Sequence, residues 1–171
     1  VSTLIVYADT SDGALDCYVA WGHTYLEVRA GLSEHTTVQY PSADYLAIGQ
    51  GLFGDYEADF YVDEAFVSFD TSSLGSSASV SAAVLRITAS IDYSIVDFVL
   101  QARLNDWGTT LEVADWVPGA DLSSRTLVAH YSTTNGWSPG SGYDLLDDAF
   151  PANVNKTGST RLVLVSDRTV V

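Results

Sequence analysis

Bases, sulfur and helix signals are all scarce in this chain. Seven Lys and Arg stand against 22 Asp and Glu, and Lys156 is the only lysine. A formal net charge of −15 excludes nucleic-acid binding, because neutralising phosphates takes clusters of Lys and Arg. It excludes attraction to an anionic membrane surface for the same reason. Cys17 is the single cysteine. It permits no intrachain disulfide and no Cys/His zinc spacing, and the alternating stretch "LDCYVAW" reads it as a small buried apolar residue. No run of 18 apolar residues occurs, so no segment reads as a membrane-spanning helix. His23, His35 and His130 fall in separate segments. No Ser-His-Asp signature, phosphate-cradling glycine loop or HExxH is present. The chain opens on Val1 and contains no Met. That fits either a removed leader or part of a longer product, and no charged-then-apolar signal segment is visible.

What is present is apolar content near one half, 47% over 171 residues, enough for one domain with a real core. The acidic excess suits a salty or extracellular setting and bound cations. It also suits a simpler purpose, keeping a β-rich protein from aggregating. Val, Thr, Ser, Tyr and Gly dominate short apolar alternations, broken by turn residues every ten or so positions. This reads as an all-β fold of antiparallel strands. Expected strands are "VSTLIVYAD", "DCYVAWG", "TYLEVRAG", "DYLAIGQG", "DEAFVSFD", "SVSAAVLRITASI", "IVDFVLQARL", "RTLVAHYST" and "STRLVLVSD". One short helix is expected over Leu111 to Trp116, stopped by Pro118 and Gly119. "YDLLDDAF" is a second candidate for one helical turn inside a long loop. No repeat and no linker is seen, so residues 1–171 read as one domain.

The stretch "GDYEADFYVDEAFVSFDTSSLG", residues 54–75, crowds six acids among five aromatics. Three readings compete. Facing carboxylates hydrolyse glycosides, and Asp59, Asp63 and Glu64 are candidates by count alone. Calcium takes six to eight oxygens. The better calcium loop is "ADTSDGALD", with Asp9, Asp12 and Asp16, which otherwise reads as an Asx turn. The third reading is a strand whose acids face solvent, followed by a turn and a returning strand. There Asp70 ends the strand and caps the backbone of "TSSLG", Leu74 tucks under the turn, and Val80, Ala83, Leu85 and Ile87 run along the core.

That hairpin, "FVSFDTSSLGSSASVSAAVLRI", resembles the signature hairpin of DNRLRE-type β-sandwich domains. Phe69, Asp70, Ser72, Ser73, Leu74, Val80, Ala83, Leu85 and Ile87 match its pattern in order. Weaker agreement runs through Asp12-Gly13, Tyr25 to Gly31, Leu46 to Gln50, Asp106 to Gly119 and Asn155 to Arg168. The resemblance implies a jelly-roll-like sandwich and a binding or scaffolding module without catalysis. Such domains occur on cell surfaces, beside polysaccharide-degrading modules and in tailed-phage structural proteins. Two departures stand out. Glu64 and Ala65 occupy the place where the family carries an Arg, and the family's last strand has no counterpart before Val171.

Trp137 in the polar loop "NGWSPGSGY", with Tyr143 as companion, is the best carbohydrate platform. Trp107 and Trp116 read as plugs of the sandwich. "VSTLIVY", with Leu4, Ile5, Val6 and Tyr7, is a candidate donor strand for a neighbouring subunit. The alternative is pairing within its own domain. Asn155 in "NKT" is a glycosylation sequon. The leading expectation is a non-enzymatic structural subunit of an extracellular or virion surface assembly, self-associating or bound to a capsid or surface protein. The alternative is a carbohydrate-binding module taking a polysaccharide. A glycan-degrading enzyme is a distant third. No cofactor is expected unless calcium binds.

Overall fold

The structure is a computed structural model that describes residues 2–8, 13–18, 26, 36–39, 46–53 and 59–170. Ten strands are described: β1 (Gly13–Tyr18), β2 (Thr36–Gln39), β3 (Gly49–Phe53), β4 (Asp59–Asp70), β5 (Arg86–Thr88), β6 (Leu100–Leu104), β7 (Leu127–Tyr131), β8 (Gly142–Asp144), β9 (Leu146–Asp147) and β10 (Ser159–Ser166). Two single-turn helices accompany them, α1 (Gly119–Leu122) and α2 (Phe150–Asn153), with 3-10 turns at Ser72–Leu74 and Val113–Asp115. The fold is therefore all-β, with every described pairing antiparallel. No described helix is long and apolar enough to cross a membrane.

The large sheet has the order β2-β1-β4-β10-β6-β7-β9, with β3 also on β4; β5 and β8 form a separate two-stranded sheet. β4 organises the large sheet. Its residues 61–66 pair with β1, residues 59–63 with β3 and residues 65–70 with β10. The overlaps require β3 and β10 to share one edge of β4, end to end, with β1 on the other. Gly51 stands opposite Tyr61, and a Cβ on Gly51 would overlap the Tyr61 ring.

Side chains alternate across a strand, and here both faces of the sheet's centre are covered. On one face Ala65 and Val67 of β4 join Leu162 and Leu164 of β10 and Leu100 and Ala102 of β6. Leu85, Leu145 and Phe150, around the small sheet and α2, close over them. On the other face Phe66, Val163 and Val165 meet Trp107, Leu111, Val117 and Leu122 from the long β6–β7 connection. Phe66 and Trp107 pack edge to face, with centroids 6.4 Å apart. Two-sided burial explains why β4 and β10 read as nearly continuous apolar runs.

Polar groups fasten the end of β4. The Thr71 hydroxyl donates to the Asn155 carbonyl (2.5 Å) and shares a bond with Thr160 Oγ1 (2.8 Å), which accepts from Asn155 N–H (2.9 Å). These buried hydroxyls hold the α2–β10 turn against the β4 terminus.

Several expectations need correction. Residues 2–8 form no strand. The strand expected over 79–91 is confined to Arg86–Thr88, because only the three residues of β8 pair with it. The helix expected over 111–116 is a 3-10 turn at 113–115, and Pro118 and Gly119 open α1 instead of stopping a helix. Proline's fixed φ suits a helix start. "YDLLDDAF" supplies β8 and β9, and the helical turn begins only at Phe150. "TYLEVRAG" lies outside the described residues apart from Leu26.

Candidate functional site

Trp137 and Tyr143 come together as expected of companions, but not as an open pair. Their rings stack with centroids 4.3 Å apart and an interplanar angle of 5°. Tyr131 presents an edge to each, at 5.3 and 5.5 Å. Polar handles are also used inside the loop. Trp137 Nε1–H donates to the Thr133 carbonyl (3.1 Å), and the Tyr143 hydroxyl accepts from Ser138 N–H (2.7 Å). Both rings are half-buried, and Trp137 packs on the core beneath.

Asp97, which no sequence signal singles out, holds this loop. Its Oδ1 accepts from Thr134 N–H (2.7 Å) and Asn135 N–H (3.1 Å), and its Oδ2 accepts from the Thr133 hydroxyl (2.6 Å). Its carbonyl accepts from Arg168 Nη2 (2.9 Å). The Thr133 hydroxyl bond and the two amide bonds hold the Asp97 carboxyl below its ordinary pKa. The contribution of these bonds to stability is present above the ordinary value of 3.8 and is lost as pH falls through the lowered one. Asp97→Ala is expected to speed hydrogen exchange at Thr134 and Asn135 while leaving the β10 amides protected. Unchanged exchange at those two amides would show that Asp97 does not hold the loop.

The described acids of this stretch lie along one strand. Asp63 and Glu64 are consecutive in β4, so they point to opposite faces. Asp59 begins the same strand. Glu64 corrects the expectation of solvent-facing acids: it is fully buried. Its Oε2 accepts from Val117 N–H (3.1 Å), and its Oε1 has no partner among the described residues. Burial pushes its pKa well above the ordinary value, opposed in part by the Val117 bond.

The expected hairpin does not form: β4 pairs with β1, β3 and β10, and β5 pairs with β8 in the separate two-stranded sheet, so the turn carries the chain from one sheet to the other. Phe69 is half-buried, Asp70 ends β4, and Asp70 Oδ1 accepts from Ser72 N–H (3.0 Å). Leu74 is half-buried at the end of the 3-10 turn. Asp9 and Asp12 lie outside the described residues, and Asp16 sits in β1. Among the described residues no group of three or more His, Cys, Asp or Glu is placed to hold a metal ion. Asn155 is exposed, and its Oδ1 accepts from Thr157 N–H (3.2 Å).

Two apolar segments face outward. Leu4, Ile5 and Tyr7 are exposed, and Val6 is half-buried. In the β5–β6 connection Ile91, Tyr93, Ile95 and Val96 are exposed, Ile95 almost entirely at 99%. An Asx turn, Ser94 N–H to Asp92 Oδ1 at 2.8 Å, shapes that tip. Sequence alternation assigns Val96 to a buried face, and the signal misleads because the strand begins only at Leu100.

Set against protein-family models, curated proteins and solved structures, the chain matches none.

Proposed function

We propose that this protein is a non-enzymatic structural subunit of an extracellular or virion surface assembly, built on a jelly-roll-like sandwich and joined by strand exchange. The observation that carries the reading is the segment 2–8. It belongs to no strand, yet it displays Leu4, Ile5 and Tyr7 to solvent. An apolar, β-branched segment of this kind suits addition to a sheet of a neighbouring copy or of a capsid or surface protein. The exposed 91–96 tip adds a second apolar surface of the sort that marks contact sites. The resemblance of the 66–87 sequence to the DNRLRE-type signature supports the same class. Calcium at Asp9, Asp12 and Asp16 would serve as a joint within such an assembly.

Light scattering and negative-stain imaging of one sample, with and without chelator, test the reading. Ordered oligomers or filaments are expected, and deletion of residues 2–8 is expected to return them to monomers with an unchanged melting temperature. Loss on chelation would assign calcium to the joints. A monomer at every concentration, with residues 2–7 protected from exchange, would sink the strand-exchange reading.

A carbohydrate-binding module at Trp137 and Tyr143 is the alternative. Its support is the adjacency of two aromatic rings in a polar loop. It predicts a monomer retained on polysaccharide, with retention abolished in Trp137→Ala.

A further inference from the structure

The small sheet ends in an open edge. Among the described residues β5 pairs with β8 alone. The Leu85 carbonyl accepts from Leu145 N–H (2.9 Å), Ala89 N–H donates to the Ser141 carbonyl (3.0 Å), and Ile87 stands opposite Tyr143. Backbone groups of an antiparallel strand alternate in direction, so Arg86 and Thr88 turn their N–H and C=O groups to the other side. Neither has a backbone partner there among the described residues. Leu85 and Ile87 pack inward on the core, while Val84, Arg86 and Thr88 face outward and are exposed. Core packing thus fixes the inner face of this edge and leaves its outer backbone groups bare, the arrangement that accepts an added strand.

A strand to fill it is present in the same chain and unused. The backbone groups of residues 2–8 have no partner among the described residues. Extended at about 3.3 Å per residue, this segment matches the length of 85–91, from β5 to the start of the exposed apolar tip. Charge also favours the match. Residues 1–8 contain no Asp, Glu, Lys or Arg, and residues 71–91 contain Arg86 alone. Asp144 neutralises Arg86 through two bonds, from Nε (2.6 Å) and Nη2 (2.7 Å). Two copies of net charge −15 repel through their acidic surfaces. Contact between them is least opposed where acids are absent from both sides.

We infer that residues 2–8 of one copy add as an outer strand to the β5 edge of a second copy. The inference rests on the strand-exchange reading above and names its acceptor. The occupant is a second copy because one chain holds both the segment and the edge, and within it the two stay apart. The added strand satisfies Arg86 and Thr88, gives Leu4, Ile5 and Tyr7 a surface to cover, and runs toward Ile91, Tyr93 and Ile95. Each copy carries one donor and one acceptor, so exchange either closes as a reciprocal pair or runs on as a filament.

The experiment places the photo-crosslinking residue benzoylphenylalanine at exposed Tyr7. A trace of this chain is refolded together with an excess of ¹⁵N-labelled wild type and irradiated. Crosslinks from the unlabelled 1–8 segment into ¹⁵N-labelled peptides covering residues 84–96 are expected. Thr88→Pro in the labelled chain is expected to cut their yield about tenfold or more. The melting temperature should stay unchanged, because an edge strand tolerates proline where the N–H faces outward. Arg86→Pro, whose N–H faces the same way, repeats the test if Thr88→Pro fails to fold. Crosslinks to 84–96 within the unlabelled chain alone would return the strand to its own domain and overturn the inference. Crosslinks only to other segments, no crosslinks at all, or an undiminished yield in both proline variants would overturn it as well. Crosslinks to another segment of the labelled chain leave strand exchange standing with a different acceptor, whereas a monomer at every concentration in light scattering removes the assembly reading itself.

Discussion

Arg103→Ala is expected to destabilise the protein by about 3–5 kcal/mol, the range for stripping a buried charged donor from its acceptors and leaving a cavity. Arg103 lies in β6 and is 8% exposed. Its Nη1 donates to the carbonyls of Leu122 (3.0 Å) and Arg125 (2.8 Å), and its Nε donates to Gln101 Oε1 (2.9 Å). Leu122 ends α1, and the last carbonyls of any helix lack partners within it. The guanidinium gives the Leu122 carbonyl a second donor beside Arg125 N–H and supplies the Arg125 carbonyl. Alanine leaves the Arg125 carbonyl without this donor, leaves the Leu122 carbonyl with Arg125 N–H alone (3.0 Å), and empties a volume beneath the β6–β7 connection. In a chain of this size the loss corresponds to a melting-temperature drop of roughly 10 °C or more. Thermal or urea unfolding reads it directly. Arg103→Lys is expected to recover only part, because one ammonium cannot reproduce the planar fork. A loss below about 1 kcal/mol would show that the Arg125 carbonyl finds another donor, since a buried acceptor left bare costs more than that.

Glu64→Gln is expected to stabilise the protein at neutral pH. Glu64 is buried with a free Oε1 among the described residues, and its carboxyl titrates well above the ordinary 4.5. An acid with a raised folded pKa holds its proton more tightly when folded. Its favourable contribution is therefore complete below about 4.5 and is lost as pH rises toward the folded value. Glutamine keeps an acceptor for Val117 N–H and never ionises, so it should be the more stable form at pH 7. The wild-type curve of stability against pH should fall above 4.5 relative to the variant, and the two should converge in acid. Parallel curves across that range would mean that Glu64 reaches water. Asp70, Asp97 and Asp144 act with the opposite sign. Bonds to Ser72, Thr133 and Arg86 respectively lower their pKa values, so their contributions vanish as pH falls below the ordinary 3.8.

Much of the sheet is legible in the sequence because alternation is a strong signal where strands are long. "DEAFVSFD" and "STRLVLVSD" lie in β4 and β10, and the polarity of their loop alone is enough to match Trp137 with Tyr143. The failures have specific physical causes. Alternation reads Glu64 as solvent-facing because a period of two names two faces but does not say that both are covered. Its burial follows from Trp107, Val117 and Leu122 folding over the second face, a tertiary event with no local mark. Segment 79–91 alternates well, but a strand extends only as far as it is paired, and β8 offers three residues. Pro118-Gly119 reads as a stop because both residues end helices more often than they sit inside them. Asp97 gives no signal at all, because what distinguishes it is bonds to residues more than 30 positions away.

The placement of β10 has a consequence for how the chain reaches its fold. It lies between β4 and β6, yet its residues 159–166 follow both by many positions. During synthesis β4 and β6 emerge with bare facing edges, and nothing local can satisfy them. The sheet's centre closes only after residue 166 has been made, through loops whose closure entropy must be met before any of those pairings forms. Until then two apolar strand edges stand open, the condition under which nascent β-proteins pair with the wrong neighbour. The surplus of negative charge would then matter most before folding is complete, when repulsion between unfinished chains keeps those edges apart.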